Sequence, residues 1–219
     1  MAQQDSRAKF AAAFISLVEE TGRSSVSVVD LTQKAGYSRK TFYRCFGNID
    51  DVVIWYCRDA MRRIVLEQFP DAIHVKPHPD LKDRYADWPF YARVIREDGR
   101  LDQGRWAAVV ASHFESRPRY YEIVFRQRTS YHHDLGKYLR NLLTPALRDD
   151  IAFMARGRSL PASYVNFLAE YHAAGIVGRL DQFVRERNAA MSGESSAHWN
   201  YAHAAIARDL EDYFMGKAR

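Results

Sequence analysis

The chain has 219 residues, 47% of them hydrophobic, and a net charge of +5 from 32 Lys and Arg against 27 Asp and Glu. That is enough length and apolar material for one or two folded domains, and it excludes a disordered polar tail. No stretch of about eighteen uninterrupted apolar residues occurs, and the opening MAQQDSRAKF lacks the apolar centre of a secretion signal, so a cytoplasmic protein with no membrane association is expected. The two cysteines, Cys45 and Cys57, are too few for a disulfide scaffold and lack the paired spacing of a structural zinc site. No metal or cofactor is expected, and packing alone must hold the fold.

The charge is unevenly placed. Residues 1–49 hold seven Lys and Arg against four Asp and Glu, a net +3 that leaves only +2 for the remaining 170 residues. Between Ser38 and Phe46 there are three cations, Arg39, Lys40 and Arg44, and no acid. Phosphate binding needs cations gathered on one surface, and this is where they gather.

In chain order, Phe10, Phe14, Leu17 and Val18 share one face of a first helix that Gly22 stops. Ser27 can cap a second helix, with Asp30 three residues on completing a capping-box-like pair and Val28, Leu31 and Ala35 facing inward. Gly36 is free to take the positive φ that closes this helix, and Ser38 can cap a third, Arg39 to Cys45. Asn48 caps a long fourth helix through Ile49, Val52, Val53, Tyr56, Ala60 and Ile64. Short helices with tightly capped connections are the pattern of helix-turn-helix DNA readers, and they also occur in ordinary bundles.

The stretch Ser27-Val-Val-Asp-Leu-Thr-Gln-Lys-Ala-Gly-Tyr-Ser-Arg-Lys-Thr-Phe-Tyr-Arg-Cys-Phe46 resembles the TetR family of transcriptional regulators across about sixty residues. Two positions depart from the family pattern: Thr32 replaces a usual small residue, and Ile49 replaces a frequent Lys, removing one phosphate contact. The apolar skeleton of Val28, Leu31, Ala35, Tyr37, Phe42 and Phe46 is intact. The resemblance implies an all-α fold, with an N-terminal three-helix helix-turn-helix domain over 1–49 and a C-terminal helical bundle over 50–219 that senses a ligand and forms a homodimer.

Residues 70–101, with Pro70, Pro77, Pro79 and Pro89, read as an irregular linker with one short helix at most. Helical patterning resumes at Trp106, Val109, Val110 and Phe114, stops at Pro118 and restarts through Tyr121, Val124 and Phe125. A long helix from about Ser130 to Met154 follows, striped by Leu135, Tyr138, Leu139, Leu142, Ala146 and Ile151, with Pro145 expected to kink it. The last two helices run from about Pro161 to Arg187, with Val165, Leu168, Ile176, Leu180 and Phe183, and from about Ser196 to Met215, with Trp199, Ala202, Ile206, Leu210 and Tyr213. Small residues Ala173, Ala174, Gly175 and Gly178 interrupt the first of these. A mid-helix glycine costs about 1 kcal/mol relative to alanine, and close helix packing is the expected compensation. The resemblance makes this pair, about 161–215, the dimer interface; a plain intramolecular core would have the same periodicity.

With the third helix in a major groove, Arg39, Lys40, Thr41 and Arg44 face the DNA; Arg39 or Lys40 can donate to guanine O6 and N7, and Thr41 can meet a thymine methyl or a phosphate. Tyr43 matches the family's aromatic phosphate contact, and Ser27 and Ser38 add backbone contacts to their capping. The implied partner is a near-palindromic double-stranded operator. Cys45 is read as a small packing side chain. For the ligand, the family's central helices imply a pocket with aromatic walls, for which Trp106, Tyr121, Phe125, Tyr138, Tyr171 and His172 are the candidates. His113 and His132 are further polar groups, while adjacent His132 and His133 cannot share a helix face and so make no metal pair.

No catalytic residues are assigned. There is no phosphate-cradling glycine loop, no nucleophile elbow and no His-Glu-x-x-His, so an enzyme is not expected. The reading is a ligand-released repressor. Its rival keeps the DNA-binding half and makes the C-terminal part an adaptor or activator surface for a protein partner.

Overall fold

The structure, a computed structural model, describes residues 2–102, 104–126, 135–186 and 204–216. The chain is mostly helical, as expected. The expectations placed on His132, His133, Trp199 and Ala202 lie outside the described residues.

Helix α1, Ala2–Thr21, ends at Gly22 with φ 68°. Phe10, Phe14 and Val18 are buried on its inner face. Helix α2, Val28–Ala35, and helix α3, Arg39–Cys45, meet across Gly36, whose φ of 70° is open to glycine at no steric cost. The three helices close around Phe10, whose ring centroid lies 5.3 Å from Tyr37, 5.5 Å from Phe42 and 6.2 Å from Phe46. Edge-to-face aromatic pairs of this kind add to the area they bury.

Helix α4, Asp50–Gln68, is amphipathic at its ends only. Through its middle Ile54, Trp55, Cys57, Arg58, Asp59, Ala60 and Met61 are all buried, so both the N-terminal head and the C-terminal body pack on it. Trp55 meets Phe46 of the head at 6.2 Å, and Tyr56 meets Tyr120 of the body at 5.6 Å.

Segment 70–101 departs from expectation. It is an antiparallel β-ribbon, β1 Ile73–Val75 and β2 Tyr91–Arg93, in the register Ile73↔Arg93, His74↔Ala92 and Val75↔Tyr91, with a 3-10 turn at Pro79–Leu81. A strand alternation of three residues is too short to show in the sequence. What holds the ribbon is long-range: Arg58, fully buried, donates Nη2 to the carbonyls of Tyr85 at 3.1 Å and Trp88 at 2.7 Å. Tyr91 Oη donates to Asp150 Oδ2 at 2.6 Å and Arg93 Nε to Asp150 Oδ1 at 2.5 Å. Arg84 pairs with Asp51 at the start of α4. The four prolines thus sit in a clasp between α4 and Asp150 of the body, a job composition alone did not reveal.

The body continues with α5, Gly104–Glu115, α6, Pro118–Arg126, and α7, Leu135–Met154, which holds Pro145 inside it. Helix α8, Ala162–Glu186, lies along α7. A last helix, α9, covers residues 204–214 and buries Ile206 and Leu210. A Cβ added at Gly175 or Gly178 would meet nothing within 4 Å among the described residues, so the close packing expected there is not found among them.

Asp150 is completely buried on α7 and anchors β2. Replacing it by alanine strands a partly buried guanidinium and a buried phenol, and should cost about 3 kcal/mol of unfolding free energy. Asp150→Asn should cost less, because its side-chain oxygen still accepts. The denaturant midpoints of the two variants check this: equal midpoints for Asp150→Ala and wild type would remove the ribbon's proposed anchor.

Candidate nucleic-acid interface and interior cavity

Helix α3 is short because both ends are fixed by side chains. Ser38 Oγ accepts from the Thr41 N–H at 3.1 Å and lies 3.0 Å from Thr41 Oγ1. At the other end Arg7, on α1, donates Nε to the Cys45 carbonyl at 3.2 Å, satisfying a C-terminal carbonyl that the helix leaves open. The sequence reading missed Arg7, whose role depends on α1 crossing α3. Ser27 caps α2 in the same way, accepting from Asp30 N–H at 3.1 Å while its hydroxyl donates to Asp30 Oδ2 at 2.6 Å. Asn48 Oδ1 accepts from Asp51 N–H at 2.9 Å, and Asp51 Oδ2 returns to Gly47 N–H at 2.7 Å. That reciprocal pair sets the turn between α3 and α4.

With Phe42, Cys45 and Phe46 fully buried, helical periodicity leaves one outer face on α3. Arg39, Lys40, Tyr43 and Arg44 are exposed on it and Thr41 is half-buried beside them. Tyr43 is 60% exposed with its ring edge-on to Phe42, so its hydroxyl is presented outward by a buried base. Ser27 and Ser38 are exposed at the starts of α2 and α3, where helix N-termini suit phosphate oxygens. Six of the seven therefore stand on α3 or its cap, which carries cations and hydrogen-bond donors and no carboxylate, while Ser27 stands at the start of α2.

The body holds a cavity of about 380 Å3 between α4, α5, α7, α8 and the β-ribbon. Its walls include Met61, Phe90, Trp106, Leu142, Ile176 and Phe183, and its few polar groups come from Tyr171, His172 and Arg179 on α8. Of the residues expected to line a pocket, Trp106, Tyr171 and His172 meet here. Tyr121, Phe125 and Tyr138 lie elsewhere. Tyr121 is buried against Phe114 at 4.4 Å and its Oη lies 2.7 Å from His113 Nε2. Phe125 packs on Phe114 at 6.2 Å. Tyr138 donates its hydroxyl to Asp83 Oδ2 at 2.6 Å, outside the cavity lining. Their helical stripe faces the core, and a stripe alone does not tell a wall from a filling. Met61, Phe90 and Leu142 were not singled out, and Phe90 reaches the cavity only because the ribbon exists.

Burial pushes the His113 ring down to about 4, with Arg63 adding to the effect, so it is neutral near pH 7 and serves the Tyr121 contact. Burial likewise pushes the Cys57 thiol up to about 12, which makes it an inert packing group.

No family model and no curated protein matches this sequence. Among solved structures the fold is shared with one described as "Dihydroxyacetone kinase operon activator DhaS", at 15% identity and a TM-score of 0.59, over 92% of this chain and 96% of that one. The likeness establishes a common fold over nearly the whole of both chains. Among the described residues no helix is long and apolar enough to cross a membrane.

His113 makes stability pH-dependent with a definite sign. Its folded pKa lies below the unfolded value of 6.5, so the unfolded chain binds more protons in between, and stability is lost as pH falls through that window. Going from about pH 7 to about pH 5 should cost the wild type on the order of 2 kcal/mol more than it costs His113→Gln. Parallel stability curves for the two proteins would show that the ring is not held neutral.

Proposed function

We propose that the protein is a DNA-binding transcriptional regulator of the TetR type, not an enzyme, acting in the cytoplasm as a homodimer on a near-palindromic operator. One observation carries the reading: α3 is a short helix, pinned at both ends, that buries Phe42 and Cys45 and turns Arg39, Lys40, Tyr43 and Arg44 outward. The shared fold with an operon activator supports it. In this reading two α3 helices enter successive major grooves about 34 Å apart. Arg39 and Lys40 read guanine edges, and Thr41, Tyr43, Arg44, Ser27 and Ser38 fix the register on the backbone.

Dimerisation is assigned to α8 and α9. Phe167 and Tyr171 stack on each other at 6.0 Å on α8 while standing 62% and 65% exposed, and the open sides of Gly175 and Gly178 lie on the same helix. Gly175 lines the cavity, and a second copy packed on this helix would compensate for Gly178, whose open side meets nothing among the described residues.

The signal is a predominantly apolar small molecule in the cavity beside Trp106 and His172. Met61 lines that cavity and Trp55, six residues earlier on α4, touches Phe46 of the head; at 1.5 Å per residue they are about 9 Å apart along one rigid element. A ligand that favours one setting of α4 shifts the α3 spacing by its difference in affinity for the two settings. The sign of regulation is taken as repression. The solved structure with the shared fold is described as an operon activator, and operator position decides the sign. A protein partner on the exposed α8 face is the second reading, supported by the Phe167–Tyr171 stack.

Purified protein mixed with genomic DNA fragments should retain a palindromic site, and Arg39→Ala combined with Lys40→Ala should lose it. Each lost base contact is expected to weaken binding by about 1–3 kcal/mol. Retention of nothing above background, at low as well as moderate salt, would contradict the regulator reading.

A further inference from the structure

The cavity of the body is closed on one side and open on the other. The walls that α4, the ribbon, α5 and α7 give it are apolar and buried, Met61, Phe90, Trp106 and Leu142 among them. The wall from α8 differs: Tyr171, Gly175 and Arg179 are exposed and His172 is half-buried. The mouth therefore lies on α8, and the polar groups stand at the mouth.

His172, Gly175 and Arg179 follow one another at intervals of three and four residues, which sets them in one row along the helix. The row has a gap at its centre. A Cβ built on Gly175 meets nothing within 4 Å among the described residues, and glycine inside a helix is less stable than alanine. Alanine would thus suit the helix better, and the room that glycine leaves adjoins the cavity it lines.

The charge of the lining has one sign. Arg179 brings a guanidinium, which donates Nη1 to Gln182 Oε1 at 2.9 Å, and among the described residues no Asp or Glu lines the cavity. An ammonium group entering there meets a like charge with no carboxylate to offset it, whereas a carboxylate meets groups able to donate to it. Size follows from volume: at about 30 Å3 for each small group in a condensed phase, the cavity of about 380 Å3 holds about twelve non-hydrogen atoms.

Resting on the reading of this cavity as the ligand site, we propose that its ligand is an amphipathic carboxylate of about that size and that Gly175 is the residue that fixes its length and place. The apolar body lies between Phe90, Trp106 and Leu142. The carboxylate crosses the helix surface at Gly175, between His172 and Arg179. A side chain at position 175 would project between these two and close the mouth.

The test is calorimetric titration of the full chain, without DNA, using decanoate, decanol and decylammonium. Decanoate should bind saturably at one per chain, and decylammonium should not. Arg179→Gln should weaken decanoate about tenfold and leave decanol unchanged, as expected for loss of a charge-assisted hydrogen bond. Gly175→Ala should raise the melting temperature and weaken decanoate severalfold, and Gly175→Leu should abolish its binding. Unaltered decanoate affinity in Gly175→Leu, or in Gly175→Ala where the leucine variant does not fold, would overturn the proposal, as would decylammonium binding as tightly as decanoate. Binding of decanol without decanoate would overturn it and leave the apolar-ligand reading standing; binding of none of the three up to its solubility would remove both.

Discussion

Helix α4 is buried on most of its faces from Val52 to Met61, and the rest of the molecule follows from that. Trp55 is taken by the head through Phe46, Tyr56 by the body through Tyr120, and Arg58 by the β-ribbon through two backbone carbonyls. A helix gripped by three parts of the molecule ties their positions together, because close-packed interiors deform little. Met61 at the apolar cavity and Trp55 against the head stand on this one continuous helix. The buried guanidinium of Arg58 adds a constraint of a different kind. It can be tolerated only where carbonyls converge on it, so residues 85–88 must wrap over α4.

That wrapping explains why segment 70–101 is ordered despite its prolines. The ribbon segment meets Asp51 and Arg58 on α4, and Tyr138 and Asp150 on α7. Each tie is a polar contact between residues more than twenty-five positions apart, and each is invisible to local pattern. The ribbon also supplies Phe90 to the cavity, so the clasp that joins α4 to α7 forms part of the pocket wall.

The helices of the head were legible because they are governed locally. Ser27, Ser38 and Asn48 cap by contacts three residues away, and Gly36 turns the chain by its own backbone freedom. The outward face of α3 followed from the same periodicity. The cavity was only half legible. Trp106, Tyr171 and His172 are on its lining while Tyr121, Phe125 and Tyr138 are not, and all six share the aromatic character that prompted the choice. What separates them is where α5, α6, α7 and α8 cross, and an amphipathic stripe does not record a crossing. Arg7, which holds the end of α3, was missed for the same reason.

The account stands on α3 lying in a major groove, and protection of guanine N7 from methylation on a retained DNA fragment tests that directly. The prediction is protection at two clusters about ten base pairs apart, one per half-site, that disappears with Arg39→Ala and Lys40→Ala. Binding that leaves every guanine N7 open to methylation, or that protects one without regard to α3, would contradict it.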